Sequence, residues 1–301
     1  MMALIPSFYS NCVVAVGYAD DANIVYWGAS GFLYGKLAQA NPDPGERRYR
    51  AYLVTNKHVL TGRDLIYVRV NPTATGPARG FEVRLSDQAT GRQLWRGHEI
   101  DEVDVAVLPI NYQLLEKQGM EVSLFRSDEN ALTVEGLVKA GMSEGDFVFV
   151  MGFPMGLVGE ERNTVIVRSG VIARIRETLA RPTNRYMVDT VVFPGNSGGP
   201  IITKPEAVAI QGTRPQKSAS LIGLVAAYVP YREIAVSQQT GRVRAVFEEN
   251  SGLAEAYSVD CIDQTINRLE STTMGATHQE AQPEASEKAA TSDAETDIRD
   301  V

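Results

Sequence analysis

Residues 193–200 read FPGNSGGP, a serine framed by Gly195 on one side and by Gly198 and Gly199 on the other. A small polar residue among glycines ordinarily marks a turn. Here it separates two runs of β-formers, YMVDTVVF (186–193) and IIT (201–203). A hydroxyl at its free pKa is a poor nucleophile. It becomes useful only with a base in contact and a third group orienting that base, so the rest of the chain must be searched for both.

Three histidines are available. His278 lies in a polar, acidic tail and has nothing to hold it. His98 sits in WRGHEIDE (95–102), which reads as a loop. His58 follows an apolar run in TNKHVL (55–60), where a buried strand opens into a turn. A candidate third member is Asp104 in EVDVAVLPI, an acid in an otherwise apolar strand. Burying it is costly unless something specific hydrogen-bonds it; the alternative is a strand that merely starts from an exposed loop. GNSGG also fits G-x-S-x-G, the nucleophile elbow of α/β-hydrolases, but that elbow needs its acid and histidine after the serine. Only His278 follows, so that fold fails. The order His58, Asp104, Ser197 is that of the double β-barrel of the chymotrypsin type.

Short β-like runs dominate the chain: CVVAVGY (12–18), NIVYWG (23–28), GFLYG (31–35), RAYLVT (50–55), LIYVRV (65–70), FEVRL (81–85) and VDVAVL (103–108). After a break come FVFVM (147–151), TVIVR (164–168), VIARI (171–175), YMVDTVVF, LIGLVAAYV (221–229) and RVRAVF (242–247). Many short strands between turn signals predict an all-β sandwich or barrel. They fall into two groups, about 8–112 and 145–258, joined by a less periodic stretch, 113–144. Residues 37–49 and 204–219 read as exposed insertions. Val259, Ile262, Ile266 and Leu269 recur at three- and four-residue spacing, which predicts one amphipathic helix over 259–270. From 271 to 301 the composition turns polar, with seven acidic against two basic side chains, −5 of the net −8. That predicts a disordered acidic tail.

Composition excludes several classes. Of 301 residues, 44% are apolar and 22% charged, a globular balance that can bury a core without disulfides or metal. A net charge of −8 with no basic cluster predicts no nucleic-acid partner. No run approaches the ~20 apolar residues of a membrane span, and the N-terminus has neither a basic nor a long apolar region, so a cytoplasmic protein is expected. Cys12 and Cys261 read as two buried, reduced thiols, with a disulfide between them as the alternative. No Cys/His spacing suggests a metal, and no cofactor is expected.

TNKHVL, DVAVL and GNSGGP together resemble the trypsin-like serine peptidases, most closely their bacterial HtrA/Deg-type branch. GASGFLY (28–34), GDFVFVMGFPMGL (145–157), SGVIARI (169–175), Asp189 eight residues before the serine, and SGLAEAYSVDCIDQTI (251–266) extend the likeness over residues 8–270. The resemblance implies two antiparallel six-stranded β-barrels, a closing helix, and a protein or peptide substrate. It implies Ser197 as nucleophile, His58 as general base and then acid, and Asp104 fixing the imidazole tautomer. The N–H groups of Gly195 and Ser197 would form the oxyanion hole. A glycine at 195 permits a backbone conformation that a Cβ would oppose.

In such a fold the S1 pocket lies along Val191, Val192 and Phe193 and along Ala226 and Ala227. With no acid among them, small or aliphatic P1 side chains are expected; Glu255 would admit a basic one if it pointed inward. Three departures from that family are expected: that no PDZ domain follows residue 270, that no signal peptide precedes the fold and that no activation site is present. Gating by the 113–144 segment, by loops 176–185 or 205–219, or by a regulatory protein partner is therefore expected. Two other readings remain: a catalytically silent or partner-gated peptide-binding scaffold of the same fold, and esterase or acyl-transfer chemistry on the same three residues.

Overall fold

The computed structural model describes residues 5–180, 184–206, 216 and 218–280. The N-terminal half contains β1 (Val13–Ala19), β2 (Val25–Gln39), β3 (Arg48–Thr55), β4 (Leu65–Pro72), β5 (Arg79–Arg84), β6 (Arg96–Gly97) and β7 (Ala106–Pro109), then the short β8 (Met120–Glu121) and β9 (Phe125–Arg126). The C-terminal half contains β10 (Phe147–Gly152), β11 (Ile166–Arg174), β12 (Arg185–Asp189), β13 (Pro200–Thr203), β14 (Leu221–Val236) and β15 (Val243–Ser258). Helices are few: α1 (Ser7–Asn11), α2 (Lys57–Leu60), α3 (Tyr112–Lys117), α4 (Val134–Ala140), α5 (Arg176–Ala180) and α6 (Val259–Glu280).

The second half is a closed six-stranded antiparallel barrel in the order β10-β11-β12-β15-β14-β13. The first half corrects the expectation of a matching six-stranded barrel. It is a nine-stranded sheet in the order β5-β4-β1-β2-β3-β7-β6, with β8 on β4 and β9 on β2. Its end strands β5 and β6 share no ladder. The intervening chain spans the gap with one isolated bridge, Ser86 to Gln93, and two bonds, Leu94 N–H to Leu85 O at 2.9 Å and Asp87 N–H to Arg92 O at 2.8 Å. With β6 only two residues long, too few backbone groups remain to zip the edge shut.

Expected strands also merge. The two runs at 23–28 and 31–35 are one strand, β2, and those at 164–168 and 171–175 are one strand, β11. The 113–144 stretch holds α3, β8, β9 and α4 rather than bare linker. The 204–219 insertion lies mostly outside the described residues. α6 continues to Glu280, so the stretch 271–280, expected to be disordered, is helical; once a helix is nucleated on a packed turn, each added residue gains a hydrogen bond. The remaining expected tail, 281–301, lies outside the described residues.

Three clusters of buried side chains fill the molecule. One lies inside the first sheet (Val14, Leu33, Leu53, Leu60, Ile66) and one inside the closed barrel (Val148, Val150, Ile172, Val188, Ile222). The third lies between the halves and joins Phe32, Tyr34 and Val107 to Phe149, Met151, Leu224 and Tyr257. α6 adds Val259, Ile262, Ile266 and Leu269 to this middle core, the face its spacing predicts. Its polar face ties back to the first sheet. Asp263 pairs with Lys36 at 2.8 Å and accepts from Tyr34 Oη at 3.0 Å; Glu270 accepts from Tyr52 Oη at 2.7 Å and pairs with Arg50 at 2.8 Å.

A second set of ties runs through arginine. Buried Arg69 on β4 donates to four carbonyls of the other half, Val158 (3.1 Å), Gly159 (2.9 Å), Glu160 (3.2 Å) and Glu161 (3.4 Å). Arg162 reaches the opposite way, to the carbonyls of Pro72, Ala74 and Gly76. Cys12 and Cys261 are buried and unbridged.

Candidate active site

The site is assembled at the seam. At the end of β3 the chain passes through Asn56 into the single turn of α2, which carries His58. Asn56 is fully buried and its Nδ2 donates to Asp104 O at 2.6 Å, which pins the segment before β7 beneath that turn. The Asp104 carboxylate then meets His58 twice. The His58 main-chain N–H donates to Oδ1 at 3.0 Å, and Nδ1 lies 2.5 Å from Oδ2. An ionised carboxylate only accepts, so Nδ1 carries the hydrogen in this contact. Burial raises the Asp104 carboxyl, but hydrogen bonds from the His58 ring and from the His58 and Lys57 main chain outweigh it. The group is held below its ordinary 3.8 and stays ionised. The His58 side chain is 56% exposed, open to a bound substrate.

Ser197 arrives from the closed barrel. Its loop docks on β2 through Ser30, which sequence reading did not single out. The Ser30 N–H donates to Ser197 O at 3.0 Å; its Oγ donates to Gly195 O at 2.6 Å and accepts from Phe153 N–H at 2.9 Å. Thr55 Oγ1 in turn donates to Ser30 O at 2.8 Å. The approach is close: a Cβ on Gly198 would lie 2.3 Å from Thr55 Oγ1 and 2.4 Å from Ser30 O. Ser197 is thereby set beside the end of β3, three residues before His58. Among the described residues no hydrogen bond joins Ser197 Oγ to the His58 ring. Serine–histidine contacts are often looser without substrate.

The peptide before Ser197 has a fixed orientation. Gly195 has φ +99°, and a Cβ there would meet Phe153 O at 2.4 Å. Pro194 O accepts from Met155 N–H at 2.7 Å, and Met155 itself holds φ +57° to make that bond. In a trans peptide the N–H points opposite to the C=O, so the Gly195 N–H faces away from Met155. Among the described residues, neither the Gly195 nor the Ser197 N–H donates to any protein acceptor. Buried main-chain donors are nearly always paired, so two without a partner beside one serine are unusual. Asn196 fixes the turn, its Oδ1 accepting from Phe193 N–H at 2.9 Å.

The residues expected along S1 differ in exposure. Val191 is exposed, Val192 is buried in the barrel core, and Phe193 is half-buried with the Arg168 guanidinium 5.4 Å from its ring centre. Ala226 is buried at a bulge of β14 and Ala227 is exposed. Glu255 lies 3.5 Å from the Arg185 guanidinium. His98 lies in the loop between β6 and β7, as expected, and is buried. Its Nδ1 accepts from Ile100 N–H at 3.1 Å, which leaves Nε2 to donate to Gln264 Oε1 at 2.8 Å. A cavity of about 460 Å³ lies between Val103, Arg174, Asn184 and Tyr257, and none of the three seam residues lines it. No cluster of metal-binding side chains occurs among the described residues.

A trypsin-like peptidase domain matches residues 29–210, which include His58, Asp104 and Ser197. The chain belongs to the trypsin-like peptidase family. This trypsin-like peptidase is 28% identical over 244 residues to the "Probable periplasmic serine endoprotease DegP-like" of Ectopseudomonas mendocina, covering 76% of this chain and 46% of that one. A protein of the same name from Pseudomonas putida is 29% identical over 196 residues, covering 56% of this chain and 39% of its own. The chain thus spans less than half the length of these curated relatives. Among solved structures, the MamO protease domain of Magnetospirillum magneticum is 16% identical with a TM-score of 0.42, over 85% of this trypsin-like peptidase and 95% of its own chain.

Proposed function

We propose that the protein is a serine endopeptidase that cleaves peptide bonds through His58, Asp104 and Ser197. The observation that carries this reading is the pair of hydrogen bonds joining Asp104 to His58, one at the ring Nδ1 and one at the main-chain N–H, with the serine loop docked beside the end of the strand that leads into His58. In the reaction His58 Nε2 takes the Ser197 proton as Oγ attacks the scissile carbonyl. Asp104 stabilises the imidazolium. The oxyanion of the tetrahedral intermediate sits on the Gly195 and Ser197 N–H groups, each worth about 3 kcal/mol in the transition state. The C–N bond breaks as His58 returns the proton to the leaving amine. Water, deprotonated by the same imidazole, then releases the acyl group. Small or aliphatic P1 residues are favoured, because the Glu255 carboxylate is already paired with Arg185 and is not left to bind a basic side chain.

A second reading, a silent or partner-gated peptide-binding module, is favoured by the missing Ser197–His58 hydrogen bond. One experiment separates them. A fluorophosphonate probe should label the protein and lose its label in Ser197→Ala and His58→Ala. On a cleaved peptide, Ser197→Ala should lower kcat roughly 10⁶-fold, while His98→Ala acts on stability alone. No labelling under any condition would leave the silent module as the better reading.

A further inference from the structure

β14 changes neighbours as it passes the serine loop. Up to Leu224 it is flanked by β13 on one side and β15 on the other. At Val225 the serine loop takes the β13 side: the Gly198 N–H donates to Val225 O at 3.1 Å, and the Val225 N–H donates to Gly199 O at 2.9 Å. From Ala226 to Val236 β14 pairs with β15 alone, and among the described residues no strand lies on its other side. One open edge therefore starts at the serine loop and runs out along the β14–β15 hairpin.

The direction of the groups on that edge can be read from the end of the hairpin. The Ser237 N–H turns inward, to Arg242 O at 2.9 Å. Main-chain groups face alternate sides at successive residues of a strand, so those of Val236, Ile234 and Arg232 face outward. Pro230 falls on the outward side as well, the side on which a strand tolerates a residue without an N–H. Among the described residues none of the three outward N–H groups donates to an acceptor outside the hairpin. The Arg232 side chain turns across the ladder to Glu248, at 2.9 Å, away from the edge. Ile234 and Val236 are 60% and 57% exposed beside it.

A row of unpaired main-chain groups is a template for one more strand. A peptide added to it gains bonds along its length and is read by side chains at alternate positions. We propose that the outer edge of β14, Arg232–Val236, is a remote substrate-binding edge, on which the polypeptide being cut adds as a further strand. The occupant is the substrate because the edge is continuous, through Val225, with the loop that carries Ser197. This inference rests on the endopeptidase reading and extends it to substrate residues far from the scissile bond. Antiparallel pairing, the more stable kind, seats the chain N-terminal to that bond. Ile234 lies nine residues beyond Val225, so roughly 30 Å of extended chain, about nine residues, separates the two contacts. Directly opposed residues of a ladder share a face. Substrate residues across from Ile234 and Val236 thus lie beside two β-branched side chains, which favours apolar residues at alternate positions.

Two fluorogenic peptides test this on the full chain: one of about eight residues, and the same peptide with about ten more, Val alternating with Thr, at its N-terminus. The extension should raise kcat/KM about tenfold or more. The gain should come chiefly through KM, since contacts made equally in ground and transition states act there. The same residues added at the C-terminus should give no gain. N-methylation of alternate amides in the extension should remove the gain for one alternating set and spare it for the other. Ile234→Pro withdraws one outward N–H and leaves the ladder to β15; the ratio of the two kcat/KM values should fall toward one. Ile234→Ser with Val236→Ser keeps the main-chain edge, and should erase the preference for Val over Ser at alternate positions while keeping part of the gain. Equal kcat/KM for the two peptides, a gain from either extension, or a gain indifferent to Ile234→Pro would overturn the proposal. A gain that falls as enzyme concentration rises would give the edge to a second copy instead. If neither peptide is cut and the fluorophosphonate probe does not label Ser197, the endopeptidase reading fails first, and the edge with it.

Discussion

Glu144 shows how one side chain can hold a loop and set a pH limit. Its carboxylate accepts from the Ile175 and Arg176 N–H groups at 3.1 and 3.0 Å and pairs with Arg176 Nε at 2.8 Å. Burial raises this carboxyl, yet those bonds outweigh it and bring the pKa to about 2, below its ordinary 4.5. A depressed acid stabilises the fold above its unfolded pKa, and that contribution is lost as pH falls through the folded value. Between pH 4.5 and 2, the wild type should therefore lose melting temperature more steeply than Glu144→Gln; parallel curves would contradict this. The thiols give the opposite case. Burial pushes Cys261 up to about 12 and raises Cys12 well above the usual thiol range. Both should resist a thiol reagent in the native state at pH 8 and react together once the protein is unfolded, as thiolate chemistry requires.

Among the elements, the serine loop depends on β2 more than its sequence suggests. Ser30→Ala would orphan the Gly195 carbonyl and the Phe153 N–H, both buried, at about 1–3 kcal/mol each. The expected outcome is a lower melting temperature together with a fall in kcat larger than any change in KM, because the loop loses its seat while the rest of the cleft is untouched. Ser30→Thr, which keeps the hydroxyl, should recover part of the kcat. Nothing in GASGF marks this role: a small uncharged residue in a β run carries no signal of what it will bond 165 residues away. By contrast, the acid in EVDVAVLPI and the histidine after RAYLVT were legible, since each is chemically out of place in an apolar run, and the structure pairs them. The hairpin of β14 and β15 was read only as two short runs, 221–229 and 242–247, because its exposed residues break the hydrophobic pattern that marks a strand.

At the scale of the molecule, two β units were legible and the way they close was not. Closure depends on which edges meet, and strand composition does not encode that; the first sheet stays open while the second shuts. The middle core and the Arg69 ties make the halves one cooperative object. Calorimetry should show one transition for the wild type. In Arg69→Ala, which leaves four carbonyls without their donor, the transition should broaden or split, as expected when a contact between large units is cut. A sharp, unshifted single transition would show that the arginine adds nothing to the coupling.

β15 is laid between β12 and β14, and α6 follows it directly. A growing chain that has already emitted its nucleophile at 197 must wait some sixty residues before barrel and strap can shut. Chains fold broadly in the order they emerge. A half-made molecule on the ribosome therefore lacks the closed barrel that seats the serine loop, and the seam is completed only once β15 has emerged.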